Sequence, residues 1–218
     1  MVIARVQLGA GESEQNEAKV DTVVAGLTHG NGSHDEVEVE VRRSGRRFDG
    51  EAVLDLAADA QTVWDTITDY DGLPSFMPGI HACRVIERQT LSKEAEQLVV
   101  EQHGEFRFLL FAQAMAVRLD IEHRLHRVAE ARAVSFDLGP FKRRAIDVFE
   151  GRYELTPQTR QSEPGTRLRY VAAIALRLPP PLAVGAIAVR QNLAAQLQAV
   201  AHEVGRRGRP MASASTGR

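Results

Sequence analysis

From about residue 80 to residue 178 the chain alternates apolar and polar residues in short runs, and no connection between the runs is long enough to hold a helix. Parallel strands need crossover connections of a dozen or more residues, so these runs are confined to antiparallel pairing. The expected strands are near 80–89, 94–104, 106–126, 130–138, 143–156 and 166–178, with turns marked by Gly139-Pro140 and Pro164-Gly165. Val117, Leu119 and Ile121 alternate with Arg118, Asp120 and Glu122, which predicts a strand with one buried and one solvated face.

The flanking text supplies what this sheet packs against. After Pro179-Pro180-Pro181, the residues Leu182, Ala186, Val189, Leu193, Leu197, Val200 and Val204 recur every three or four positions. That is one apolar stripe along a long helix, and Gly205 before Arg206 and Arg207 is its expected stop. Upstream, Val37, Val39 and Val41 alternate with glutamates, and a second strand is expected at 50–56 after the turn SGRRFDG. Asp59 stands where an N-cap belongs, so 60–69 reads as a helix, with Leu73, Phe76 and Met77 in a broken second turn near the prolines. The fold class is therefore α+β: a curved antiparallel sheet gripping a long C-terminal helix, with apolar space left between them. Residues 1–34 read as a flexible N-terminal extension, 35–207 as one ligand-binding domain, and 208–218 as a disordered tail.

Composition narrows the function. A net charge of −2 gives no whole-chain attraction to phosphate, so nucleic acid is not an implied partner. Cys83 is the single cysteine, so an intrachain disulfide is excluded. The N-terminus lacks a basic leader and no window is apolar enough to span a bilayer, which points to a cytoplasmic protein with peripheral membrane contact still allowed.

The segments VWDTITDYDGLPSFMPGI (63–80), FKRRAIDVFEGRYEL (141–155) and GTRLRYVAAIAL (165–176), followed by the final helix, resemble the START-like polyketide cyclase and coenzyme-Q-binding family. The resemblance covers roughly 36–205. It implies a helix-grip fold and a bound lipid, quinone or polyketide-like molecule, in a family that includes binders, chaperones and some enzymes. A fold does not by itself assign a function.

The candidate ligand-binding residues are Trp64, Phe76, Met77, Phe108, Met115, Tyr170, Val189 and Leu193, with Phe106 and Phe111 beside them. Plain core packing competes with a binding role for each. Tyr170, Asn192, His81 and His123 are candidate polar contacts for a head group. His123 and His126 are three apart on an expected strand, which sends their rings to opposite faces and argues against a metal pair. His103, next to Gly104, reads as exposed. Ser75 and Cys83 lack the glycine framing of a nucleophile elbow, Asp69 and Asp71 read as turn and capping residues, and no phosphate-binding glycine motif occurs, so no cofactor or metal is called for.

Burying a ten-carbon tail supplies on the order of 8 kcal/mol before binding entropy is subtracted, so binding needs no catalysis. The expected function is non-catalytic carriage or chaperoning of a hydrophobic molecule, an isoprenoid quinone or another lipid. A polyketide aromatase/cyclase is the alternative. A third reading is an interaction module docking on ribosomal RNA or another acidic partner through Arg42, Arg43, Arg46 and Arg47, Lys142, Arg143 and Arg144, or Arg206, Arg207 and Arg209.

Overall fold

Val37, Val39 and Val41 are buried while the glutamates between them face water, so β2 (Glu38–Ser44) forms where the alternation requires it. Its partner β3 (Arg47–Leu56) begins three residues earlier than the expected 50. The turn is only Gly45-Arg46: Ser44 pairs with Arg47, Gly45 takes φ +58°, and Phe48 from the expected loop is fully buried. Glycine carries that left-handed angle without strain. The computed structural model describes residues 21–24, 37–108, 111–135, 146–160, 163–177 and 182–208.

Among the described residues, nine strands form one antiparallel sheet in the order β1-β2-β3-β9-β8-β7-β6-β5-β4. Edge strand β1 (Asp21–Val24) lies within the expected extension and pairs with β2, Asp21 opposite Val41. β4 (Ile80–Thr90), β5 (Ala95–Phe108), β6 (Phe111–Arg124), β7 (Val128–Ser135), β8 (Ile146–Arg160) and β9 (Glu163–Leu176) follow as a meander, and β9 returns to pair with β3. The expected tail after Gly208 and Lys142, Arg143, Arg144 and Arg209 lie outside the described residues.

α1 (Ala60–Ile67) is capped as expected: the Asp59 carboxylate accepts from the Thr62 N–H at 2.8 Å. A single 3₁₀ turn (Leu73–Ser75) follows, and Gly79 at φ +79° swings the chain into β4. α2 (Leu182–Arg207) packs its apolar stripe on β2, β3 and β5 and touches α1. A Leu193 methyl occupies the place where a Cβ on Gly50 would stand, so the glycine leaves room for that side chain against the sheet. The helix does not stop at Gly205: Arg206 and Arg207 both donate to the Glu203 carboxylate, and these pairs hold the last turn together.

The outer face of the sheet is laced by ion pairs. Arg169 joins Glu51 to Glu154 at 2.7 and 2.8 Å, and Arg152 joins Glu154 to Glu130 at 2.7 and 3.3 Å. These charges keep the convex face solvated and leave α2 to cover the concave one.

Candidate functional site

The concave face of the sheet is hollow where its side chains are small. Ala129 and Ala131 on β7 and Gly151 on β8 point inward beside Leu119 and Ile121 of β6, and Ala131 pairs directly with Gly151. The space they leave is a cavity of about 90 Å³, closed by Ile67 of α1, Leu73 and Met77 of the following turns, Ile80, Phe149 and Gln196 of α2. The chain has three tyrosines, and all of them, Tyr70, Tyr153 and Tyr170, line this one cavity together with Gln102.

Tyr153 and Tyr170 are cross-strand neighbours whose rings stack at 4.3 Å between centroids. The Tyr170 hydroxyl rests about where only a glycine leaves room, since a Cβ on Gly151 would stand 3.0 Å from it. Burial pushes both phenols up, Tyr170 to about 12, and for Tyr153 the neighbouring Tyr170 and Tyr70 add to the effect. Among the described residues, neither hydroxyl has a hydrogen-bond partner, and the same holds for the amides of Gln102 and Gln196. Four such groups facing one cavity, Tyr170 buried and the other three half-buried, form a site with unused hydrogen-bonding capacity.

Tyr70 differs from these. Its hydroxyl lies 2.7 Å from Nε2 of His123, whose Nδ1 is 2.8 Å from Glu96, and Arg88 holds the other oxygen of that carboxylate at 3.0 Å. His123 is 2% exposed, and Trp64 packs edge-on against it at 5.0 Å. Burial holds His123 below the ordinary imidazole value, with the Glu96 hydrogen bond opposing. The Tyr70 phenol is driven up by burial, with Cys83 and Glu96 adding.

Of the residues expected at the site, Met77 and Tyr170 stand on this wall. Trp64 is buried behind it, wedged against His123 and His126. Phe76 lies under the Arg207 guanidinium at 5.8 Å, Met115 is half-buried against the core, and Val189 and Leu193 are core residues of the α2 stripe. The Phe106, Phe108 and Phe111 side chains lie outside the described residues. Of the candidate head-group contacts, Asn192 donates to the Ala188 carbonyl at 2.8 Å, and His81 is exposed near Glu105. His103 is exposed, as expected.

One expectation is corrected by geometry. His123 and His126 do not diverge onto opposite faces; both rings meet Trp64, at 5.0 and 5.7 Å. The strand ends at Arg124 and His126 turns back at φ +59°, so strand parity no longer applies to it. Among the described residues, no cluster of three His, Cys, Asp or Glu is placed to hold a metal. No helix among them is long and apolar enough to cross a membrane.

The expected basic patches are largely spent on local contacts. Arg42 faces Glu40 at 3.6 Å, Arg43 donates to the Gly45 carbonyl, Arg46 to that of Arg177, and Arg47 to Asp49 at 2.8 Å.

The profile of the family described as polyketide cyclase/dehydrase and lipid transport matches residues 47–205. Among solved structures, the chain is similar to a START superfamily protein from Mycobacterium smegmatis, at 15% identity and a TM-score of 0.59 over 72% of this chain and 97% of that one. It is similar to the Zhui aromatase/cyclase from a Streptomyces species, at 19% identity and a TM-score of 0.54 over 75% and 96%. A STAR-related lipid transfer protein from Xanthomonas axonopodis matches at 15% identity and a TM-score of 0.56 over 84% and 98%. No curated protein matches the chain in sequence.

Proposed function

This chain belongs to the polyketide cyclase/dehydrase and lipid transport family, and from that premise we propose that it binds and carries a hydrophobic molecule built on an oxygenated ring, a quinone or a polyketide-like compound. The observation that carries this reading is the wall of three tyrosines and two glutamines set among apolar side chains. A plain acyl chain would leave those polar groups unpaired, at about 1–3 kcal/mol for each one fully desolvated. A ring bearing hydroxyl or carbonyl oxygens meets them. The cavity is smaller than the roughly 150 Å³ that admits benzene in an engineered apolar site, so entry of a full ring requires wall side chains to shift. Met77, unbranched and with three rotatable bonds, suits that movement.

Native mass spectrometry of freshly purified protein, followed by organic extraction of whatever is released, tests the proposal. A ring-bearing oxygenated molecule near one equivalent supports it, and a saturated acyl lipid in that place overturns it.

The cyclase reading is favoured by one feature, the Tyr70–His123–Glu96 chain, because an imidazole oriented by a carboxylate can take up a proton relayed through the Tyr70 hydroxyl. Conversion of a linear poly-β-ketone to a ring, lost in Tyr70→Phe with ligand occupancy retained, would favour cyclisation over carriage. The docking reading has little behind it among the described residues, since Arg206 and Arg207 are committed to Glu203.

A further inference from the structure

The proton positions in the Glu96–His123–Tyr70 chain follow from its ends. Glu96 is held by Arg88, and an ionised carboxylate only accepts, so Nδ1 of His123 carries the hydrogen and donates to it at 2.8 Å. In the neutral imidazole Nε2 is then bare and can only accept. Tyr70 must therefore spend its single O–H on His123, across 2.7 Å. What remains of the Tyr70 hydroxyl is oxygen lone pairs. We propose that His123, oriented by Glu96, makes Tyr70 a hydrogen-bond acceptor on the cavity wall, so that the site takes a hydroxyl-bearing ring (a phenol or hydroquinone) in preference to the matching ether or ketone.

Register builds this polarity into the sheet. Glu96 and His123 stand directly opposite each other on β5 and β6, on the same inward face as Leu98 and Ile121. Tyr70 reaches them from the segment after α1, with its ring stacked on the imidazole at 17°. Tyr153 and Tyr170 have unpartnered hydroxyls that can turn either way. Tyr70 is the one hydroxyl of the three whose direction is fixed, and so the one that can discriminate.

The inference rests on the ring-binding reading above, and the test separates the two. Binding of para-cresol, para-methylanisole, cyclohexanone and toluene to the intact protein is followed by NMR titration. One hydrogen bond worth about 1.4 kcal/mol is tenfold in affinity, so para-cresol should bind about tenfold more tightly than para-methylanisole, which keeps the ring and the oxygen but carries a methyl in place of the donor hydrogen. In Tyr70→Phe the preference should disappear, and native-like dispersion of the amide resonances in the same titration reports that the variant is folded. Equal affinity for cresol and methylanisole in the unaltered protein overturns the inference and leaves the ring-binding reading standing. Failure of all four probes removes both.

The pH dependence gives a readout that packing alone would not produce. The charged groups acting on His123 are Glu96 from β5 and Arg88 from β4, and Tyr70 and the uncharged Trp64 cover its other sides. Once His123 is protonated, Nε2–H donates to the Tyr70 oxygen and the Tyr70 O–H is released toward the cavity. Cyclohexanone should then gain on cresol as the pH falls through the folded His123 value, which burial places below the ordinary 6.5. A ratio that stays constant down to the acid unfolding limit argues against the proposal.

Discussion

Glu96 and His123 face each other across β5 and β6 with 2.8 Å between carboxylate and imidazole, and the pair is almost fully withdrawn from water on the His123 side. This arrangement fixes how stability must vary with pH. Burial lowers the folded pKa of His123 below its unfolded value of 6.5. The unfolded chain therefore takes up the proton first. The contribution is complete above pH 6.5 and is lost as the pH falls through the folded value. Urea midpoints should be level above neutrality and decline below it, and His123→Gln should flatten that decline. Glu203, held down to about 2 chiefly by its Arg206 hydrogen bond, adds a separate and more acid limb. Trp64 is the chain's only tryptophan and touches the imidazole, so its emission can follow the first limb without the second.

Two glycines should respond very differently to alanine. A Cβ on Gly104 would collide with the Gly79 carbonyl oxygen, a backbone atom at the point where the segment after α1 enters the sheet. Nothing there can turn aside, and Gly104→Ala should cost about 2–4 kcal/mol. A Cβ on Gly50 would meet only the tip of Leu193, which can change rotamer, so Gly50→Ala should cost about 1 kcal/mol or less. Denaturant titrations with unchanged slopes check the contrast, and equal costs would refute it.

Filling the hollow should separate binding from folding. In Gly151→Ala the new methyl presses on the Tyr170 hydroxyl from 3.0 Å, a contact that a small ring rotation relieves. Stability should change by less than about 1 kcal/mol, whereas ligand occupancy measured by native mass spectrometry should fall about tenfold if that hydroxyl meets the ligand. Unchanged occupancy would remove Tyr170 from the binding wall.

How much of this was legible in the sequence depends on the kind of signal. Period-two alternation gave β6 its inward face at Val117, Leu119 and Ile121, and the proline-flanked stripe gave α2. The same parity, carried two residues further, places His123 inside, and on β5 it places Glu96 and Gln102 with Leu98 and Val100. That parity agrees with His123 as a candidate head-group contact, whereas Glu96 and Gln102, charged or polar in an otherwise solvated run, carry no sign of an inward role beyond it. The cavity itself was hard to read because it comes from small side chains. Ala129, Ala131 and Gly151 look like weak strand residues in the sequence, and only the register that sets Ala131 against Gly151 turns them into a hollow. The large aromatic residues Trp64 and Phe76 give the stronger signal in the sequence, and in the fold they pack against His123 and Arg207.

Arg207 ties the end of α2 to the segment that closes the cavity. It donates to Asp69 at 2.7 Å, to Glu203 at 2.7 Å and to the Asp65 carbonyl at 3.3 Å, and it covers the Phe76 ring. Asp69 also accepts from the Gly72 N–H, so one carboxylate links the turn after α1 to the last turn of α2. Removing the guanidinium leaves Glu203 paired with Arg206 but releases Asp69. Because Asp69 is 38% exposed, screening by water limits the loss, and Arg207→Ala should cost about 1–2 kcal/mol. Lysine keeps the charge but cannot reach three acceptors with a planar fork, so Arg207→Lys should recover less than half of that. Asp69→Asn retains an acceptor for Gly72 and should cost about 0.5 kcal/mol. A double-mutant cycle between positions 69 and 207 isolates their coupling. A coupling indistinguishable from zero would mean that the α1 segment is held by Leu73 and Met77 packing alone, and that the ion pair contributes nothing to closing the cavity.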